Sequence, residues 1–98
     1  MFDISSVSKR YFQVKLNNGV QLNVEPPKIK TLKKLIASSK VKDEDAIDEL
    51  TESVKLLLDK NKEHRKVDEE VENMNYDQLT AVLNQYFDWL GKVKKSKN

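Results

Sequence analysis

Apolar residues occupy every second position in two short segments near the start of the chain, residues 12–16 and 20–24. Successive side chains of a β-strand point to opposite faces, so this alternation predicts two strands that share one apolar face. A two-stranded ribbon is marginal in water by itself, and its apolar face must therefore be covered by the elements that follow.

The connection between the two strands can be interpreted in two ways. A two-residue turn would set Leu16 against polar Gln21, whereas a three-residue loop of residues 17–19 sets Leu16 against Val20. Residues opposite each other in a ladder point to the same face, so the alternation favours the three-residue loop. Such a loop requires a left-handed backbone at Gly19, which glycine adopts freely.

The next segment has the spacing of an amphipathic helix. Pro26 and Pro27 end the second strand and suit the first turn of a helix, which should run to about Ser38. The apolar stripe expected to pack on the hairpin consists of Ile29, Leu32, Leu35 and Ile36.

A second helix is predicted after a short linker, with Asp43 as its N-cap and its end near Asn61. Residues 62–66 are polar and predict a loop, after which Asp68 can cap a short helical turn. The apolar stripe of the second helix consists of Ile47, Leu50, Val54, Leu57 and Leu58.

The last helix has the clearest start signal. Asn75 as N-cap and Gln78 at the third helical position form a capping box, and Met74 and Leu79 are spaced as a hydrophobic staple. Gly91 should loosen the end of this helix. Its apolar stripe consists of Leu79, Val82, Leu83, Tyr86 and Leu90.

These elements predict an α+β fold that is mainly helical, an N-terminal β-hairpin followed by three to four helices. The length of 98 residues fits one domain. We assign residues 1–9 to a flexible lead in which Phe2 and Ile4 could dock, residues 10–91 to the domain, and residues 92–98 to a basic tail.

Composition narrows the class of protein. The chain has no cysteine, which excludes disulfides and thiolate sites and suits a reducing compartment. It has no apolar run of about 18 residues and no signal-peptide pattern, so we expect a cytoplasmic protein without membrane contact. The net charge of +2 hides three blocks, a basic start, an acidic stretch over residues 43–77 and a basic end. These blocks are interpreted as solvated helix faces or as a charged surface for a partner.

The residues needed for catalysis are missing. The only histidine, His64, lies in a charged loop without the neighbours of a triad or metal site. Phosphate-binding glycine loops and metal motifs are absent, and the paired carboxylates lie in acidic runs. We expect no enzyme activity, no cofactor and no metal. Lysine clusters at residues 28–34 and 92–97 could suggest nucleic-acid binding, but the acidic stretch opposes it, so no nucleic-acid partner is expected.

The strongest signal for a protein partner is the aromatic stretch of the last helix. Aromatic residues carry much of the binding energy at protein interfaces. Tyr86, Phe87 and Trp89 span more than one face of a helix, so one ring should remain available to a partner or to a second copy, although all three could belong to the core. The predicted binding surface combines the last helix with the apolar edge of the first helix after the hairpin. The protein-binding residues predicted on this basis are Phe87, Trp89, Tyr86 and Leu90.

The order of features resembles a known family, the small tail assembly chaperones of long-tailed bacteriophages and prophages. The resemblance runs from about Tyr11 to Leu90. It consists of the hairpin and helix YFQVKLNNGVQLNVEPPKIKTLKKLIA, the helix end LLLDKNKE, and the segment VDEEVENMNYDQLTAVLNQYFDWL. The strand-Pro-Pro-helix junction and the closing Tyr-x-x-Trp-Leu pattern are its most specific parts.

The resemblance implies a protein of the host cytoplasm that binds the tape-measure protein, helps the tail tube protein assemble around it, and is absent from the mature virion. Members of this family are often also made with a C-terminal extension by translational frameshifting, and the resemblance implies that this chain would correspond to the short form. A homo-oligomer is possible. The competing hypotheses are a small nucleic-acid-binding regulator and a generic helical adaptor with a host partner.

Overall fold

A computed structural model describes residues 1–7, 10–38 and 46–95. A two-stranded antiparallel hairpin precedes four α-helices, and the predicted α+β, mainly helical fold class is confirmed. The predicted N-cap Asp43 lies outside the described residues. In chain order the elements are β1 (Phe12–Lys15), β2 (Gln21–Val24), α1 (Ile29–Ser38), α2 (Ala46–Asp59), α3 (Asp68–Glu72) and α4 (Tyr76–Lys95).

The register of the hairpin agrees with the prediction. Val14 pairs with Leu22, and the Leu16 N–H donates to the Val20 carbonyl at 2.9 Å. The Gly19 N–H donates a hydrogen bond to the Leu16 carbonyl at 2.9 Å, and Gly19 has a φ of +88°. The three-residue loop is therefore confirmed.

The loop after α2 lies along the outer edge of β2. The Lys62 N–H donates to the Asn23 carbonyl at 2.7 Å, and the Glu25 N–H donates to the Lys60 carbonyl at 2.8 Å. The Asn23 N–H donates to Glu63 Oε1 at 2.9 Å. This loop thus satisfies backbone groups that would otherwise form an open edge.

Buried Asn61 holds that loop in shape. Its Nδ2 donates to the Leu58 and Arg65 carbonyls, each at 2.9 Å, and its Oδ1 accepts from the Arg65 N–H at 2.8 Å. Asn61 lies two residues beyond the end of α2 and forms a bridge with Val24. The loop includes a left-handed residue, His64, with a φ of 58°.

Helix α2 is the centre of the fold, because it contacts α1, α3, α4 and β2. One face of α2 is buried against these neighbours, and the hairpin and α4 close the core beside it. Burial of apolar area from all of these elements is the main force that holds so small a domain together. The buried apolar residues are Phe12, Leu16, Leu22, Val24, Leu35, Val54, Leu57, Leu58, Val67, Val71, Leu79, Leu83 and Tyr86.

Helix α1 differs from its prediction. It begins at Ile29, and the Lys28 carbonyl accepts its first hydrogen bond, so both prolines precede the helix. The expectation that its apolar stripe packs on the hairpin is wrong, because α1 packs on α2. That contact buries Leu35 alone and leaves Ile29 and Ile36 exposed.

The other ends of the helices show smaller differences. The N-cap of α3 is Val67, whose side chain makes no capping hydrogen bond. Asp68, the predicted cap, is the first helical residue. The capping box of α4 is confirmed, because Asn75 Oδ1 accepts from the Gln78 N–H at 2.8 Å and Gln78 Oε1 accepts from the Asn75 N–H at 3.0 Å. Helix α4 continues through Gly91 to Lys95.

The N-terminal segment, over residues 1–7, has no buried side chain. It forms one turn of 3-10 helix, Ile4–Ser6, capped by the Asp3 carboxylate, which accepts from the Ser5 N–H at 3.0 Å. Phe2 and Ile4, which the sequence left as residues that could dock, are both exposed.

Candidate protein-binding surfaces

The four residues predicted to bind a partner lie at differing depths. Tyr86 is 1% exposed and belongs to the core, whereas Phe87, Trp89 and Leu90 are half-buried and pack against it. The Tyr86 ring meets the Phe12 ring edge-on, with a centroid distance of 5.4 Å. Burial raises the pKa of Tyr86 to about 12. Tyr86 is therefore a core residue.

Trp89 is covered by residues from the start of the chain. Its ring centroid lies 5.8 Å from that of Phe12 and 5.7 Å from that of Tyr86. The Arg10 guanidinium carbon lies 4.4 Å from the Trp89 ring centroid, and Arg10 Nη1 donates to the Trp89 carbonyl at 3.0 Å. The hydrogen bond holds Arg10 against the backbone of α4, and the cation–π contact places its guanidinium over the indole. The role of the aromatic stretch in binding a partner stays a prediction.

The most exposed large apolar side chains of the helices lie elsewhere. Tyr76, the first residue of α4, is 60% exposed, and Ile47 near the start of α2 is 59% exposed. Ile29 and Ile36 of α1 are 67% and 41% exposed. Isolated exposed apolar residues are ordinary, but several on adjacent helices indicate a surface for a partner.

A groove lies where the end of α1 meets the first turns of α2 and α4. Its volume is about 190 Å³, and Leu50 and Leu83 supply its apolar lining together with exposed Tyr76. Ile36 and Ile47 are not among the residues that line this groove. They are exposed on the same helices, two residues before Ser38 and one after Ala46, which both line it. We call the set of Ile36, Ile47 and Tyr76 with this groove the helix-end surface.

Opposite charges flank the apolar residues. Lys28, just before α1, and the α1 lysines Lys30, Lys33 and Lys34 are exposed, and the acidic residues Asp48, Glu49 and Glu52 are exposed on the helix packed against α1. The Ser38 hydroxyl donates to Glu49 Oε2 at 3.3 Å between these helices. On the far side of α2, Lys55 pairs with Glu72 at 3.3 Å. The charge blocks therefore place a basic and an acidic face side by side.

The remaining polar side chains offer little chemistry. His64 is exposed in the loop that covers β2, and its neighbour Glu63 accepts both the Asn23 N–H and the Asn23 side-chain amide. These hydrogen bonds lower the pKa of Glu63 below its ordinary value. Within residues 1–7, 10–38 and 46–95, no three potential ligand side chains cluster in a way that could hold a metal ion. No helix of these ranges has the length and apolarity to cross a bilayer.

The sequence predicted a partner surface on the last helix together with the apolar edge of the first helix, and it did not predict the contribution of Ile47. The apolar stripes of α1 and α2 predicted that Ile36 and Ile47 face the core, and only the position of α1 beside α2 shows that they do not. Tyr76 offered a signal, because it lies off the stripe of α4.

Comparison with known proteins yields no match, whether with protein-family models, curated proteins or solved structures. The resemblance to the tail assembly chaperones rests on the order of elements and the segments that carry it.

Proposed function

We propose that the protein is a non-catalytic tail assembly chaperone of a long-tailed bacteriophage or prophage, which binds the tape-measure protein and promotes assembly of the tail tube protein around it. The observation that supports this proposal is the helix-end surface, where exposed Tyr76 lines a groove of mixed polar and apolar character and Ile36 and Ile47 are exposed on the other two helices that line it. The order of hairpin, proline pair and helices supports it independently.

An amphipathic helix is the occupant that this surface suits. A partner helix that lays its apolar face into a groove uses anchors about one helical turn apart, and each of the three helices that line this groove carries an exposed large apolar side chain. Basic α1 and acidic α2 lie beside one another, so the polar edges of a bound helix can find opposite charges on both sides. A long tape-measure protein supplies such helices in number.

The proposal includes a setting. The protein acts in the cytoplasm of the bacterial host, before the tail is complete, and shields apolar faces of the tape-measure protein that the tail tube later covers. It leaves with the assembly step and is absent from the mature virion. No catalysis and no cofactor are part of this role.

Co-expression with the tape-measure protein tests the proposal. The wild-type chain should keep the tape-measure protein in the soluble fraction and co-purify with it. The double variant Ile47→Ser, Tyr76→Ser should lose most of this effect with an unchanged circular dichroism spectrum, because both side chains are exposed and contribute little to the fold.

The matched control is Asp48→Ser, Asp88→Ser, which changes exposed polar residues on the same two helices. This control should behave as the wild type does. Equal capture of the tape-measure protein by both double variants would remove the helix-end surface from the proposal, and a wild-type chain that leaves the tape-measure protein insoluble would contradict the function itself.

A further inference from the structure

Strand β1 has a free edge. In an antiparallel ladder the backbone groups of alternate residues point to opposite sides, and the Leu16–Val20 and Val14–Leu22 pairs face β2. The N–H and C=O groups of Gln13 and Lys15 consequently point away from β2. Among the described residues, nothing bonds to them, whereas the outer edge of β2 is covered by the loop at residues 60–63.

This free edge is held in position at both ends. At the loop end, Gln78 Nε2 of α4 donates to Asn17 Oδ1 at 2.9 Å, and Asn17 Nδ2 donates back to Gln78 Oε1 at 3.2 Å. At the start of the strand, Arg10 is bonded to Trp89 of α4. Only the middle of β1 is left unbonded on this side. A strand fixed in this way loses little conformational entropy when another strand pairs with it.

An apolar groove runs along the same edge, between β1 and α4. It consists of two adjoining hollows of about 190 Å³ and 280 Å³, which share Val14, Lys15, Ala81 and Val82 as lining residues. Val14 and Val82 are half-buried, so both keep apolar surface that a further strand could cover. Backbone donors and acceptors beside an apolar groove are the features of a site for β-strand addition.

We propose that the free edge of β1 binds the same edge of a second copy, so that two hairpins join into one antiparallel four-stranded sheet about a two-fold axis. The inference stands on the edge alone and does not depend on the proposed function. A two-fold axis brings the same surface of each copy together, so the edge must be complementary to itself.

The residues of β1 satisfy that requirement in one register. When Val14 lies opposite Val14 of the second copy, Gln13 lies opposite Lys15, so their outward N–H and C=O groups can bond reciprocally. Phe12 then lies opposite Leu16, which joins the two apolar faces. Centring the pairing on Lys15 would oppose two lysines, and centring it on Gln13 would oppose Leu16 with Arg10.

Proline substitutions test the edge with a matched control. Gln13→Pro removes an outward N–H that β2 does not use, and Gln21→Pro makes the same chemical change on β2, whose outward groups face the other side of the hairpin. Sedimentation of the wild-type chain should show a concentration-dependent equilibrium between the 11.4 kDa monomer and a dimer. Gln13→Pro should weaken the dimer by about tenfold or more, and Gln21→Pro should leave it unchanged.

Two measurements keep the test decisive if a proline variant fails to fold. In the wild-type dimer the Gln13 and Lys15 amides should exchange with deuterium far more slowly than after dilution to monomer. The chain has no cysteine, so Val14→Cys should form a disulfide dimer on oxidation, since facing residues in such a pair have Cα atoms about 4.5 Å apart. Val20→Cys, away from the axis, should not cross-link.

Other outcomes would overturn the proposal. A wild-type chain that stays monomeric with freely exchanging Gln13 and Lys15 amides would contradict it. A dimer that withstands Gln13→Pro would place the dimer interface elsewhere. Protection of these amides only after an extended peptide is added would assign the edge to a different chain.

Discussion

Gly19 is the residue at which the hairpin depends most directly on one backbone angle. Its φ of +88° lies in the left-handed region, and a Cβ built there would meet no atom within 4 Å. The constraint is therefore conformational and involves no steric clash with neighbouring residues. β-branched side chains are strained in this region, and glycine is not.

We expect Gly19→Val to lower the free energy of unfolding by about 1 to 2 kcal/mol. This corresponds to a fall in Tm of roughly 5 to 15 °C for a domain of this size. The other glycine supplies the control, because Gly91 lies inside α4 and a Cβ added there would meet no atom within 4 Å. Gly91→Ala should therefore leave the Tm unchanged or raise it. An unchanged Tm for Gly19→Val would contradict the three-residue loop.

Ionisation of Glu63 should make the stability of the loop over β2 depend on pH. Its pKa is lowered from 4.5 by hydrogen bonds from the Asn23 backbone and side chain, so the ionised form is favoured in the folded state. The stability that this contributes is fully present above the unfolded pKa and is lost as pH falls through the lower folded pKa. As the pH is lowered from 7 to 3, the Tm of Glu63→Gln should therefore fall less steeply than the Tm of the wild type. Parallel curves would show that the carboxylate does not support the loop.

Among the secondary-structure elements, the sequence correctly predicted features that depend on residues close to one another in the chain. The register of β1 with β2 and the capping box of α4 each depend on residues close in sequence, and both were predicted correctly. The position of α1 beside α2 and the cover of β2 by the loop at residues 60–63 depend on distant residues, and no pattern in the sequence showed them.

In the aromatic stretch of α4, too, the sequence did not show contacts with residues far away in the chain. Helical geometry correctly placed Tyr86 on the core side and Trp89 partly off it. Helical geometry could not show that Arg10 and Phe12, from the start of the chain, cover the indole. The direction of a side chain follows from its own helix, whereas its exposure depends on every other element.

Substitutions in this stretch should have unequal effects on stability. Trp89 contacts two rings and the Arg10 guanidinium, whereas the one ring contact of Phe87 in the described residues is with Tyr86, at 6.1 Å. We expect Trp89→Gln to cost about 2 kcal/mol, or roughly 10 °C in Tm, and Phe87→Gln to cost clearly less. Thermal melts of the two variants measure this. A Trp89→Gln variant as stable as the wild type would contradict this order and would favour Trp89 as a partner contact.

For the molecule as a whole, the arrangement of charge favours a protein partner over nucleic acid. The lysines of α1 lie beside an acidic helix, which opposes a phosphate backbone that approaches them. We expect no binding to duplex or single-stranded DNA beyond weak, salt-sensitive association. A gel-shift assay at physiological salt checks this, and sub-micromolar affinity would favour the regulator hypothesis.

Nuclear magnetic resonance during titration with an amphipathic segment of the tape-measure protein can show whether the helix-end surface binds such a helix. Amide shifts report which residues a bound helix contacts. We expect the largest shifts around Ser38, Ile47 and Tyr76, and no shift at these residues when a scrambled, non-amphipathic peptide is added. No shift at a saturating excess of the segment, or shifts confined to residues 86–90, would contradict the assignment of the helix-end surface as the binding site.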